Sequence, residues 1–480
     1  MLTRLKVSGF KNLVDVDVRL GPFTCIAGAN GVGKSNLFDA IQFLSFLADR
    51  PLIEAALAVR GGETAGVKSL FHRVGSRRDD VISLTAEMIV PSVGVDDLGK
   101  EAKATSTFLK YTLEVACRNE DPTALEILKE ELDYVTQGDA HKHILFDHSA
   151  ARWRRSVVKN SRRTESPFIS TTGGGADGKI RIHQDGEGKR AVVYRASRLP
   201  RTVLSSARAD DSPTALLARR EMQSWRLLQL EPSSLRKPDP FAAPTRLGTD
   251  GSHLAATLYR LARRHRDGAD SETLYARVAN RLAELFEDVK DLWVDRDEKR
   301  ELLTVHVQTH DGTVHPAPAL SDGSLRFLAL AVLDQATDDQ GLICLEEPEN
   351  GVHPERLPAM LRLLRDLTTD VQEEVGPDNP MRQVIVNTHS PAVVQQVPED
   401  SLLVAVPRVV VRDKIRSRSV AFKALPNTWR QDAPDAPKPV SLGTLLSYLN
   451  PVIREDLRLQ FESPAVVERG DVRELLPLSP

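Results

Sequence analysis

Between Phe23 and Asp39 the chain reads FTCIAGANGVGKSNLFD, and this stretch restricts the fold more tightly than any other. Phe23 to Ala27 predict a short buried strand, a glycine-bearing loop follows, and the residues from Lys34 onward carry helical spacing. The loop meets G-x-x-x-x-G-K-[ST] at every defined position, through Gly28, Gly33, Lys34 and Ser35. Glycines let backbone N–H groups curl around a phosphate without a Cβ in the way. Lys34 has the reach for β- and γ-phosphates, the Ser35 hydroxyl is a ligand type for Mg²⁺, and the helix start adds its positive end. A nucleoside triphosphate is the ligand this pattern implies. Gly28, Ala29, Asn30, Gly31, Val32 and Gly33 would form its cradle, with Lys34, Ser35 and Asn36 opening the helix.

A length of 480 residues allows a large core and two or three domains. Hydrophobic residues at 41% and charged residues at 27% are those of a soluble globular chain. A formal net charge of −3 gives no global attraction to nucleic acid or anionic membrane, so any such binding needs a local patch. Cys25, Cys117 and Cys344 are sparse and unpaired by spacing, which fits a reducing compartment; Cys25 and Cys344 lie in apolar runs as small buried hydrophobes. The N-terminal MLTRLKVSGFKN has no apolar signal core, and no apolar run reaches about 18 residues. The expectation is a cytoplasmic protein that does not engage a membrane.

Period-two alternation over residues 2 to 20 predicts a half-buried hairpin, and the P-loop helix is expected to run from Lys34 to about Asp49 with Leu37, Ala40, Ile41 and Leu44 on one face. Strands are expected at 81–90 and 107–116. From 119 to 300 the character changes, with a Gly-rich polar hairpin or loop at 164–190, four prolines in 232–246, and helices at 213–230, 251–267 and 271–289. Heptads are too short-lived for a long coiled coil. Strand–helix alternation returns from 301 to 406, and a small helical appendix is expected at the end.

A second constellation is GLICLEEPENGVHP, residues 341–354: a buried apolar strand ending in Glu346-Glu347. One carboxylate at such a tip can join a Mg²⁺ shell, and its neighbour can position and deprotonate water. Leu320-Ser321-Asp322-Gly323-Ser324 precedes an apolar helix, so Ser321 is an N-cap and the helix start a second anion site. VIVNTHSP, 384–391, delivers His389 at the tip of another apolar strand.

Lys34, Ser321, Glu347 and His389 follow in that order, with gaps of 26 from Ser321 to Glu347 and 42 from Glu347 to His389. With G-A-N-G-V-G-K-S-N-L-F-D-A-I, E-E-P-E-N-G-V-H-P and N-T-H-S-P, the chain resembles the ATP-binding-cassette (ABC) ATPase head of the SMC, RecF and OLD-type proteins over residues 1 to 405. The resemblance implies an α/β fold: a mixed central sheet with flanking helices, an antiparallel β-subdomain, and an inserted, mainly helical lid or arm. The segments would be an N-terminal lobe (1–118), the insertion (119–300), a C-terminal lobe (301–406) and an appendix (407–480).

The resemblance also implies roles. Residues 28–35 would be Walker A, and Glu346 and Glu347 the Walker B pair, with Glu346 and Ser35 on Mg²⁺ and Glu347 the general base. Ser321 and Gly323 would be the signature, 349–351 the D-loop, and His389 the switch histidine at the γ-phosphate. ATP would then join two heads, Ser321 of one capping the nucleotide of the other. Three features depart from the pattern: Glu346 stands where many relatives have aspartate, no glutamine between 43 and 136 offers a Q-loop, and 287 positions separate Lys34 from Ser321. That gap argues against a transporter subunit, and the missing heptads against a long-armed SMC protein. No strand-end E…D-x-D pattern follows His389, so no Toprim nuclease is expected within the chain. A separate effector, a nuclease or toxin, is the expected partner of a bacterial defence sensor; a RecF-like DNA-repair ATPase is the alternative.

Other clusters carry weaker signals. Residues 152–163, RWRRSVVKNSRR, hold six cations and Trp153, and read either as a solvated basic loop or as a DNA or RNA contact with a stacking ring. Arg260, Arg263, Arg264 and Arg266 read as the polar face of a helix. Arg60 has no position fixed by the sequence. His141, His143, Asp147 and His148 are metal-ligand types in a row, but an extended segment would not put them on one face. Asp295 and Asp297 fit an exposed hairpin tip better than a nuclease site.

Overall fold

The strand Phe23–Ala27 is buried at all five positions because it lies inside a parallel sheet. A computed structural model describes residues 1–75, 77–117, 125–161, 166–173, 178–185, 192–264, 268–337, 340–412 and 415–449. In it the P-loop strand has Arg382–Thr388 on one side and Leu402–Arg412 on the other. Gly341–Glu346 follows beyond Arg382–Thr388, then the short edge strand Arg226–Leu228; all five run parallel. Ile415–Ala424 closes the opposite edge, antiparallel to its neighbour. The strands of such a sheet end together, so loops from distant parts of the sequence meet along one edge.

A second sheet is antiparallel throughout, with eight strands among the described residues. It begins with the expected hairpin of Leu2–Ser8 and Val16–Arg19, and continues through Val81–Ile89 and Phe108–Cys117. The helix Lys34–Leu47 and both sheets share one apolar core. The helix is accordingly buried nearly all round, not only on the expected face: Leu37, Phe38, Phe43, Leu44 and Leu47 have no exposed surface, each contributing roughly 1.5–3 kcal/mol. Gln383 joins the sheets. Its buried amide accepts from Leu2 N–H and donates to the carbonyls of Leu2 and Gly21, all at 2.8 Å.

The mainly helical reading of 119–300 needs correction. Helices form at Pro213–Gln223, Leu254–Arg264 and Gly268–Ala283, but Leu125–Tyr134, Ile169–Thr172, Lys179–Ile182 and Val192–Arg195 extend the antiparallel sheet. The segment Leu125–Tyr134 carries a bulge between Ile127 and Lys129, which breaks the period-two pattern that would have revealed a strand. Arg226–Leu228 belongs to the central sheet, so 119–300 is woven into the head. The boundaries at 118 and 300 divide strands that pair with each other, Phe108–Cys117 with Leu125–Tyr134 and Val289–Asp297 with Leu302–Thr309, and the boundary at 406 falls inside Leu402–Arg412. A small third sheet holds Asp239–Pro240, Leu302–Thr309 and Val289–Asp297, with two of the helices against it. Residues Met1–Val440 form one unit; in the other, Ser441–Pro480, the helix Leu442–Leu449 is described. No helix among the described residues is long and apolar enough to cross a membrane.

The bulge turns Glu130 into the core, where its carboxylate accepts from Val203 and Leu204 N–H at 2.8 Å and from the Tyr111 hydroxyl at 3.2 Å. Burial pushes its pKa up to about 7, against the opposing pull of those donors. The folded state thus keeps a proton that the unfolded chain, at about 4.5, gives up. The sign follows: stability declines as pH rises from about 4.5 to 7, by on the order of 3 kcal/mol in all. Urea midpoints measured at pH 5 and pH 8 are expected to show that decline, and Glu130→Gln to flatten it. Equal pH dependence in both proteins would show that the slope comes from other groups.

Candidate active site

The loop after Ala27 is shaped by close approaches. A Cβ on Gly28 would lie 2.8 Å from the Ala405 carbonyl oxygen. Gly33 has φ +114, and a Cβ there would sit 2.2 Å from Asn12 Nδ2. Asn12 braces the loop: its Nδ2 donates to the Val32 carbonyl at 2.9 Å, and its Oδ1 accepts from Asn36 at 2.7 Å. The following helix has no side-chain cap and no acid in its first turn, which leaves first-turn amides for an anion. Lys34 is buried and folds back on the loop, donating to the carbonyls of Gly28 (2.6 Å) and Ala29 (3.1 Å). Burial lowers its pKa, and the charges of Glu347, Glu349 and Glu346 only partly restore it. A cation resting on neutral carbonyls loses little by moving to a phosphate.

The strand Gly341–Glu346 delivers its two carboxylates beside this loop. A cavity of about 350 Å³ is lined by Ser35, Gln229, Glu346, Glu347, Asn350 and Asn387, among others. Burial would raise Glu346, but hydrogen bonds from Ser35, Arg60 and Gln229 and the charge of Arg60 hold it below the usual glutamate range. Glu347 has φ +47, a conformation that L residues avoid, and its N–H is held by the Asn387 carbonyl and Oδ1, both at 3.1 Å. Its carboxylate accepts from Asn350 Nδ2 at 3.0 Å and meets His389 Nδ1 at 2.7 Å. Those two bonds and the charges of His389 and Lys34 outweigh burial and lower its pKa. The pair is 31% and 41% exposed, so it contributes little stability, about 0–1 kcal/mol, and serves to aim the two groups. Thr388 donates to the buried Glu349, which ties the loop after Glu347 to the turn that carries His389.

Two side chains complete the site that the sequence did not place. Arg60 donates to Glu346 at 3.0 and 3.2 Å and to Asp39 at 2.9 and 3.2 Å, and Lys11 meets the same buried Asp39 at 2.6 Å. Gln229, just past the edge strand Arg226–Leu228, donates to Glu346 at 3.1 Å. It stands beside the strand Gly341–Glu346, far outside the interval from 43 to 136 in which the sequence holds no glutamine. Ser35, Glu346 and the Gln229 amide supply a hydroxyl, a carboxylate and a carbonyl, the hard oxygen donors that suit Mg²⁺ alongside phosphates.

Ser321 caps the helix Asp322–Gln335 as expected, its Oγ accepting from Ser324 N–H at 3.2 Å. Neither it nor Gly323 lines the cavity at Glu346; Ser321 is exposed. Gly323 packs where a Cβ would lie 2.3 Å from the Gly351 carbonyl, which locks the helix start to the loop after Glu347. The stacking reading of Trp153 fails: the ring is fully buried against Phe146 and His148, and Arg152 pairs with Glu373. Arg162 and Arg163 lie outside the described residues. The histidines are engaged separately, His141 with the Gly138 carbonyl, His143 with Glu87 and His148 with the Phe146 carbonyl; no group of three or more His, Cys, Asp or Glu side chains is placed to hold a metal ion among the described residues. Asp297 accepts from the Lys299 and Arg300 amides in the expected hairpin turn.

A parallel sheet with this loop, paired strand-end glutamates, a strand-end histidine and a capped serine helix defines an ABC-type ATPase head of the SMC, RecF and OLD branch. The chain belongs to the family described as "AAA domain, putative AbiEii toxin, Type IV TA system", whose model matches residues 23–395. It is similar to the DNA replication and repair protein RecF of Porphyromonas gingivalis, 38% identical over 74 residues, which is 15% of this chain and 20% of that protein. It is also similar to the OLD nuclease of Thermus scotoductus, 48% identical over 44 residues, 9% of this chain and 8% of the other. The chain therefore spans only a fifth or less of these two relatives. Among solved structures, an Smc head bound to the C-winged helix domain of ScpA aligns at a TM-score of 0.47 and 14% identity, covering 88% of this chain and 98% of that one.

Proposed function

We propose that the chain binds and hydrolyses ATP with Mg²⁺, dimerises head to head on ATP, and gates a separate effector as the sensor ATPase of a bacterial anti-phage or toxin-type system. The carrying observation is the Glu347 carboxylate, held ionised beside His389 and Lys34 at the end of the P-loop sheet. Bound Mg²⁺ would neutralise phosphate charge, with Ser35, Glu346 and Gln229 as its protein ligands. Glu347 takes a proton from attacking water, Asn350 and His389 fix its direction, and Lys34 offers its charge to the phosphates. A cation at Glu346 competes with Arg60 for that carboxylate, so loading and Arg60 position are coupled.

The exposed Ser321, which does not line the cavity of its own subunit, supports a role across a dimer interface. Ser321→Arg is expected to leave ATP binding to the monomer intact and to abolish the ATP-induced increase in mass seen by light scattering. Dimerisation that survives this change would remove Ser321 from the interface. The family description favours the toxin-type role. The RecF likeness over the matched segment favours the alternative, a DNA-repair ATPase; co-purification of an effector would support the first and overturn the second.

A further inference from the structure

A groove of about 490 Å³ opens on the third sheet, away from the residues of the nucleotide site, and is lined by Phe241, Tyr259, Arg260, Arg263, Arg296 and Leu303, with Thr245. It has a simple origin. Arg296 and Leu303 are register partners across the hairpin of Val289–Asp297 and Leu302–Thr309, and Phe241 is fixed beside them by its N–H on the Glu301 carbonyl at 3.0 Å. One turn apart on the helix Leu254–Arg264, Tyr259, Arg260 and Arg263 supply the opposite wall.

The chemistry of this wall is unusual for a chain of net charge −3. No carboxylate lines the groove. Among the described residues Arg260 and Arg263 have no acidic partner: Arg260 donates to the Phe241 carbonyl at 3.2 Å, and Arg263 to the Tyr259 hydroxyl at 2.9 Å. Arg296 has only Glu298 at 3.2 Å, in an exposed pair of little strength. Strand alternation turns Asp295 and Asp297 to the other face. Two guanidiniums are ordered against rings, Arg263 at 5.5 Å from the Tyr259 centroid and Arg296 at 4.6 Å from that of Phe241. A guanidinium stacked on a ring keeps its N–H edge for a phosphate and its outer face for a planar base.

We propose that this groove binds single-stranded nucleic acid, with phosphates on Arg260, Arg263 and Arg296 and a base on the Arg–aromatic stack. Concave positive charge with no carboxylate in its lining, beside aromatic surface, is the combination that such strands require. Unlike residues 152–163, where Trp153 is buried and offers no ring to a base, the groove pairs its cations with aromatic surface. It shares no residue with the ATP site, so its failure and the failure of the ATPase reading are separately visible.

The test is fluorescence anisotropy on the full chain without ATP, using a labelled single-stranded DNA of about twenty nucleotides. Wild-type protein is expected to bind at low salt. Arg260→Ala with Arg263→Ala should weaken binding at least tenfold and reduce the log–log salt slope by about 1.4, at roughly 0.7 for each phosphate no longer neutralised. Tyr259→Leu should weaken it about fivefold or more with the slope unchanged. Arg155→Ala with Lys159→Ala should change neither. Unaltered melting curves and ATP turnover in these variants establish that the fold is intact. Absence of binding at low salt, or binding indifferent to the Arg260 and Arg263 changes, would overturn the proposal. So would displacement of the strand by thymidine monophosphate at equal phosphate concentration, which would assign the groove to a free nucleotide.

Discussion

Replacing Glu347 with glutamine is expected to lower ATP turnover by on the order of 10²–10⁴-fold while nucleotide binding persists. The amide is nearly isosteric: its oxygen keeps the bond from Asn350 and its NH2, in place of the second carboxylate oxygen, can donate to His389 Nδ1, so the loop has no reason to move. What it loses is the capacity to take a proton. Because the wild-type carboxylate is held below the usual glutamate range, wild-type turnover should also keep its base ionised down to pH values below about 4.5. Steady-state phosphate release and binding of a fluorescent ATP analogue, measured on both proteins, separate the two effects. If E347Q turned over normally, another group would be the base; if it failed to bind, the residue would be holding the site together instead.

Gly33→Ala should produce the second large effect, on binding instead of chemistry. At φ +114 an L residue is strained by about 1–2 kcal/mol, and the added methyl would fall 2.2 Å from Asn12 Nδ2. Asn12 must then leave the Val32 carbonyl and Asn36, and the loop amides lose their alignment. Two charge-assisted hydrogen bonds lost to a phosphate, at roughly 1.5 kcal/mol each, correspond to about a hundredfold in affinity. Titration calorimetry with ATP checks this. An affinity within about threefold of wild type would mean that the cradle tolerates a Cβ and that the phosphates are held elsewhere. Asn12→Ala should lose part of the same affinity without the backbone strain, and so divides the effect between brace and glycine.

The residues readable from the sequence are those whose chemistry is local. The P-loop, Glu346-Glu347, the Ser321 cap and the strand ending at His389 each declare themselves within about ten positions, and the structure brings the loop, the glutamates and His389 together. Gln229 was hidden because the strand that carries it, Arg226–Leu228, is three residues long and shows no period. Its partner strand lies more than a hundred positions later, with Arg226 opposite Ile343. Arg60 was visible as a residue but not as a neighbour of Glu346, since only folding closes the 286 positions between them. The width of the antiparallel sheet was missed for a physical reason: the bulge at Ile127 and Lys129 puts a buried glutamate where alternation predicts an apolar residue. Trp153 misled because an aromatic among arginines has the same composition whether it faces solvent or the core.

The order of strands in the central sheet bears on how the protein is made. Phe23 pairs with Val384, so the apolar strand FTCIA leaves the ribosome 361 residues before its first neighbour exists. At 5–20 residues per second that interval is roughly 20–70 s. Throughout it, five residues destined for complete burial have no partner strand, and the phosphate loop has no floor. Synthesis interrupted between about residues 40 and 388 would leave every P-loop residue made and its partner strand incomplete. The capacity to bind a nucleotide should therefore appear only after the strand Arg382–Thr388 has emerged, long after the phosphate loop itself.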